Sequence, residues 1–175
     1  MTDNIERIVL GGGCFWCLEA VYKRIKGITT SRPGYAGGFV ENPDYKHVST
    51  GKTGHAEVVE VCFDKTVISL TTILEIFWRA HDPTTLDRQG NDVGSQYRSV
   101  IFYADDNQKK LAESSLKELI KSGTYNNPPV TQITALETFW PAEAYHKDYF
   151  ETNRGESYCR IVIEPKLVKL LLMED

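Results

Sequence analysis

Two sulfurs lie three residues apart near the start of the chain. Cys14 and Cys17 enclose Phe15 and Trp16, and Gly11, Gly12 and Gly13 come directly before them. The nucleophilic form of cysteine is the thiolate, so a reactive cysteine needs surroundings that favour an anion. A strand passing through a glycine turn into a helix offers them, because the unpaired N–H groups and the dipole of the first helical turn attract negative charge. On this reading the pKa of Cys14 falls, and the glycines let the chain bend sharply while the sulfur stays accessible. Phe15 and Trp16 cannot both join the core-facing stripe of that helix, so at least one borders the sulfur. The plain alternative is a buried helix start in which Cys14 is a small apolar residue.

The C-x-x-C spacing admits a redox dithiol, half of a zinc site, or two cysteines with unrelated roles. Zinc calls for two more ligands at close spacing. Cys62 and Cys159 stand alone, and His47, His55, His81 and His146 show no ligand-pair pattern. A thioredoxin fold brings a strand and a helix ahead of its motif strand, whereas here the motif comes almost at once. Dithiol chemistry outside that fold remains open.

A second candidate is Glu57, in the stretch AEVVEVCFD (56–64). Read as a strand, this stretch puts Glu57 on one face with Val59, Val61 and Phe63. A carboxyl on an apolar face loses hydration, so its pKa rises and it keeps a proton near neutral pH. At an exposed strand end it would simply be solvated. Cys62 falls on the opposite face and reads as structural. His55 either tunes the acid or serves a turn, and His81 reads as a core histidine with satisfied hydrogen bonds.

The elements that must position these groups follow from periodicity and punctuation. RIVLGGG (7–13) reads as a buried strand entering a turn, and 15–26 as a helix through Leu18, Val21, Tyr22 and Ile25, stopped at Gly27. ITTSRPGYAGG (28–38) is extended and 39–55 a long loop. Thr72 and Glu75 resemble a capping box, opening a helix whose stripe is Ile73, Leu74, Phe77, Trp78 and His81. After a polar loop over 85–99 come a strand, SVIFYA, an amphipathic helix over 106–122 ending at Gly123, and a strand, TQITALE. The tail reads as an aromatic helix around PAEAYHKDYF, a strand in CRIVIE, and a terminal helix opened by Pro165. The order β-α-β-β-α-β predicts an α+β fold, a two-layer sandwich with a ferredoxin-like core and a mixed, largely antiparallel sheet, in one domain over 1–175.

A net charge of −4 gives no basic patch for nucleic acid, and no apolar run is long enough to span a bilayer. The first ten residues lack the features of a signal peptide, so the expected location is the cytoplasm, where cysteines stay reduced.

GCFWCLEA (13–20) resembles the signature of the A-type peptide methionine sulfoxide reductases, which act on the S epimer. The resemblance continues through GYAGG (34–38), NPDY (42–45), TGHAE (53–57), FWRAHDPT (77–84), RQGNDVGSQYRS (88–99) and FWPAEAYHKDYF (139–150), nearly the whole chain in the family's order. It implies an α/β sandwich around a β-α-β-β-α-β core. It also implies that Cys14 is the nucleophile, that Phe15 and Trp16 hold the sulfoxide methyl group, and that Glu57 donates a proton to the sulfoxide oxygen. Tyr45 and Tyr97 would hydrogen-bond that oxygen, with Asp92 organising the same polar site. Neutral phenols suit this task because they donate without repelling a thiolate.

Attack by Cys14 would release methionine and leave a sulfenic acid for a second thiol to resolve. Many family members have glycine at the place of Cys17, and cysteines near the C-terminus often serve, so Cys17 and Cys159 are both candidates, with Cys17 favoured. The resemblance implies thioredoxin or another dithiol as external reductant, no cofactor or metal, and repair of oxidised proteins by a monomer. A general thiol–disulfide oxidoreductase and a cysteine-containing binding domain are the competing readings.

Overall fold

Ala56–Asp64 (numbered β3 below) pairs antiparallel with both of its neighbours, and its alternating side chains meet apolar groups on both sides of the sheet. The computed structural model describes residues 2–170, 172 and 173. In chain order the elements before β3 are β1 (Ile5–Gly11), α1 (Phe15–Lys23), β2 (Ile28–Ala36) and the one-turn α2 (Tyr45–Val48). After it come α3 (Leu70–Ala80), β4 (Arg88–Gln89), β5 (Asp92–Val93), β6 (Val100–Tyr103) and α4 (Asp106–Ser122). The chain then runs through β7 (Gln132–Ala135), β8 (Trp140–Pro141), α5 (Tyr149–Thr152) and α6 (Glu164–Lys169).

Six strands form one sheet in the order β7-β6-β1-β3-β2-β8, antiparallel except for the β6–β7 pair, and β4 and β5 make a separate small hairpin. The expected β-α-β-β-α-β core is present as β1-α1-β2-β3-α3-β6, with inner strand order β6-β1-β3-β2. Val59, Val61 and Phe63 enter the main core with Phe15, Leu18, Val21, Leu74 and Phe77 of α1 and α3. Val58, Val9, Val100 and Phe102 form a smaller cluster on the other face, under Leu136 and Phe139. No helix among the described residues is long and apolar enough to cross a membrane.

Several local expectations are corrected. The cap of α3 is Ser69, whose hydroxyl accepts Thr72 N–H at 3.1 Å, so the helix starts one turn before the expected box. The earlier start lets Leu70 join the buried stripe with Ile73 and Leu74. CRIVIE is not a strand. Cys159–Ile163 is a π-helical turn that runs directly into α6. Its β-branched residues favour a strand locally, yet helical winding buries Cys159 and Ile163 together and leaves Ile161 outside. Residues 139–152 form a short strand, a 3-10 turn and a one-turn helix in place of one aromatic helix. The terminal helix ends at Lys169, and the expected stretch beyond it falls partly outside the described residues.

Candidate active site

The turn between β1 and α1 lies against Glu57 because of glycine. A Cβ on Gly11 would stand 3.1 Å from Glu57 O and 2.9 Å from Val100 Cγ1, so only a bare backbone lets β1 end there. Gly13 then takes φ +89°, in the left-handed region, and its N–H donates to Tyr97 O at 3.2 Å. Cys14 follows as the N-cap residue of α1, with extended backbone and no capping bond from its side chain. Cys17 N–H donates to Cys14 O at 3.1 Å, winding the two cysteines into one helical turn.

The two thiols lie close enough for each to alter the proton affinity of the other. Burial pushes the Cys14 thiol well above its ordinary value, the nearness of Cys17 pushes it further, and Glu57 adds to this once it is ionised. Cys17 moves the opposite way, chiefly through the bond from Cys14. The sequence expectation that the helix start lowers Cys14 is therefore corrected. With 6% of its surface exposed, desolvation outweighs the dipole.

Glu57 is on the face read from the sequence, and it is buried, with 1% exposed. Oε1 accepts Phe15 N–H at 3.1 Å, while Oε2 is buried with no partner among the described residues. Burial raises its pKa to about 8, opposed by the Phe15 bond and reinforced by the negative charge of Asp92. At neutral pH it is a carboxylic acid with a proton to give, near enough to Cys14 for each to shift the other.

An aromatic wall stands beside the pair. The Phe15 ring is fully buried and lies 6.2 Å from Tyr45, and Trp16 is half-buried, 6.3 Å from Tyr45 and stacked on Tyr149 at 3.7 Å. Tyr45 opens α2, where Glu143 accepts its backbone N–H at 2.9 Å and the Tyr35 hydroxyl at 2.8 Å. Burial raises the phenols of Tyr45 and Tyr97, Tyr45 to about 12, so each remains a neutral donor. Asp92, on β5, meets the pair indirectly: the Tyr158 hydroxyl donates to its Oδ2 at 2.7 Å and lies 3.6 Å from Cys17 Sγ.

The seven expected groups Cys14, Phe15, Trp16, Tyr45, Glu57, Asp92 and Tyr97 thus converge on one turn, with Cys17 beside Cys14. Cys159 is buried close enough to Cys17 for the Cys17 charge to raise its pKa. Cys62 is half-buried on the far side of β3. His55 serves the turn: Nδ1 accepts Gly38 N–H at 3.0 Å and Nε2 donates to Val40 O at 2.7 Å. His81 is bonded at both nitrogens, to Phe77 O at 2.6 Å and Ser99 Oγ at 2.7 Å.

Sequence reasoning missed three residues here, His146, Glu143 and Tyr158. His146 Nδ1 accepts the Trp16 indole N–H at 2.9 Å, across 130 positions of sequence. His146 and Glu143 lie in the stretch read from sequence as an aromatic helix, and nothing local marks which of its members face the sulfurs.

The family model described as "Peptide methionine sulfoxide reductase" matches residues 6–174. The chain belongs to that family. A relative from Leptospira borgpetersenii, peptide methionine sulfoxide reductase MsrA, is 55% identical over 95% of this chain and 94% of its own. Mxr1 from Saccharomyces cerevisiae in reduced form superposes with a TM-score of 0.84 at 34% identity, covering 89% of this chain and 90% of that one. Mxr1 has also been solved in complex with Trx2, with a TM-score of 0.61 at 26% identity over 85% and 87% of the two chains. This family member is an oxidoreductase of the A type that reduces methionine sulfoxide.

Proposed function

We propose that Cys14 attacks the sulfur of a methionine S-sulfoxide, free or in a peptide, while Glu57 protonates the departing oxygen. The Cys14 thiolate takes the oxygen and the proton and becomes a sulfenic acid, and the sulfoxide leaves as methionine. Phe15 and Trp16 hold the methyl group, and Tyr45 and Tyr97 hydrogen-bond the oxygen as it gains charge. Cys17 then attacks the sulfenic sulfur. A disulfide forms, and the S–O bond breaks to give hydroxide, which the Cys17 proton converts to water. Cys159 stands next in line for the disulfide through its closeness to Cys17.

The observation that carries this reading is Glu57, an acid kept neutral by burial, with one oxygen unpartnered, beside a buried cysteine pair. The solved complex of the related Mxr1 with Trx2 supports a thioredoxin-class dithiol as reductant. The whole chain acts as one catalytic domain, a cytoplasmic monomer that repairs oxidised proteins.

The test is a single turnover on chirally resolved methionine sulfoxide without reductant, followed by mass-spectrometric mapping of disulfides. The expected result is one methionine per chain from the S epimer alone, with Cys14 joined to Cys17, and none from Cys14→Ser. Turnover by Cys14→Ser would overturn the assignment of the nucleophile. A Cys14–Cys159 bond in the first turnover would move the resolving role to Cys159.

A further inference from the structure

Attack on a sulfoxide needs the anion of the cysteine pair on Cys14. Burial opposes that by disfavouring the charged form of Cys14. Tyr158 offers an opposing bias. A phenol has one proton, and the hydroxyl of Tyr158 sits 2.7 Å from the Asp92 carboxylate and 3.6 Å from Cys17 Sγ. A charge-assisted bond to carboxylate is the stronger of the two. With its proton committed to Asp92, the phenol oxygen can meet Cys17 only as an acceptor.

The geometry points to Tyr158 as a positioning residue that holds the Cys17 proton and so directs the charge of the cysteine pair to Cys14, with Asp92 fixing the phenol in that orientation. Asp92 then acts through Tyr158 and not on the substrate. The same arrangement leaves Cys17 protonated when the sulfenic acid forms, so the proton that turns the leaving hydroxide into water is already in place.

The groups around Cys17 divide. Lys166 of α6 favours an anion there, as a phenol proton turned to Cys17 would, whereas Asp92 of β5 disfavours it and holds that proton at 2.7 Å. Cys14 at the N-cap of α1, Glu57 of β3 and Cys159 from the π-helical turn are further ionisable neighbours. Tyr158 is the neighbour whose role turns on the direction of one hydrogen bond, and that direction can be measured.

The inference rests on Cys14 as nucleophile and Cys17 as its partner. The test is the pH dependence of iodoacetamide alkylation at Cys17, read by mass spectrometry in Cys14→Ser chains. If Tyr158 accepts from Cys17, Tyr158→Phe lowers the proton affinity of Cys17 by about threefold, the effect of one weak hydrogen bond. A phenol that donated to the thiolate would give the opposite sign, so an increase or no change overturns the inference.

Asp92→Asn is the second variant, because it frees the phenol to turn toward Cys17. Its effect on Cys17 should be mostly lost when Tyr158→Phe is also present. An equal effect in both backgrounds means simple charge repulsion and rejects the inference. Sulfoxide turnover by the same Cys14→Ser chains is assayed in parallel. Activity there would sink the nucleophile assignment, while the titration still reports on Cys17.

Discussion

Glu19 on α1 and Glu57 on β3 are both acids within the main fold, each with 1% of its surface exposed. Burial is the leading cause that raises both, Glu19 to about 7 and Glu57 to about 8. Their partners differ. Glu19 accepts Asp148 N–H at 2.9 Å, and the charges of Lys23 and Lys147 draw it back toward the anion. Glu57 receives one N–H, keeps an oxygen unpartnered, and has Asp92 and Cys17 as charged neighbours. An acid tied to backbone and lysines fastens α1 to the segment around Asp148. An acid left half-satisfied among other acids stores a proton.

The sharpest way to break this contrast is to remove the proton from each. Glu57→Gln keeps the size and can still accept from Phe15 N–H, and sulfoxide reduction should fall by about a hundredfold or more, the usual worth of a general acid. Glu19→Gln should leave the single-turnover rate within about twofold, since no reacting atom depends on it. Equal losses would show that burial alone, and not the placement of the partners, matters. In the unaltered chain the methionine-forming step should slow as pH rises through about 8, where Glu57 becomes an anion, and Glu57→Gln should lack that limb.

The same acid leaves a mark on stability. Its folded value lies above the ordinary 4.5, so the folded state binds the extra proton between 4.5 and about 8. The contribution is complete below that window and is lost as pH rises through it. Urea midpoints of the unaltered chain should therefore decline across this range more steeply than those of Glu57→Gln. Parallel curves would mean that Glu57 is already ionised in the fold.

Two histidines extend the comparison at a smaller scale. His81 has both ring nitrogens bonded, and burial lowers its pKa to about 4, so it works as neutral packing under Gly12. His146 accepts the Trp16 indole and has Nε2 buried without a partner. His146→Phe removes the acceptor that orients the indole, and KM for sulfoxide should rise about fivefold with kcat nearly unchanged, the scale of one lost hydrogen bond. His81→Phe should lower the thermal midpoint and leave KM alone. A KM effect at His81 with none at His146 would reverse their roles.

Much of this arrangement could be read in the chain because it depends on local patterning. The strand face carrying Glu57, the span of α4 with its stop at Gly123, and the order of the six core elements each follow from a repeat of two or of 3.6 residues. What escaped depends on tertiary contact. Nothing near Tyr158 in sequence shows that it bridges Asp92 and Cys17, partners 66 and 141 positions away. Cys159 sits in a run of β-branched residues whose local preference yields to packing against α1. The direction of the Cys14 shift was misread for a related reason. The helix start is visible in sequence, but the depth of burial and the touching sulfur are not.

Cys62 supplies the smallest expected effect and the control for the rest. It lies half-buried on β3, opposite Arg7 of β1 and Thr30 of β2, on the sheet face turned away from Glu57. If reactivity followed cysteine exposure alone, this sulfur would react before the buried Cys14 and Cys17. If it follows the acid and the aromatic wall, Cys62 is inert toward sulfoxide. Cys62→Ala should then leave kcat and KM unchanged, shift stability by no more than about 0.5 kcal/mol, and leave the disulfide map after one turnover as it was. A mapped bond from Cys14 to Cys62 would require β3 to leave the sheet, because the strand turns Cys62 to the face opposite the one on which Glu57 meets the start of α1.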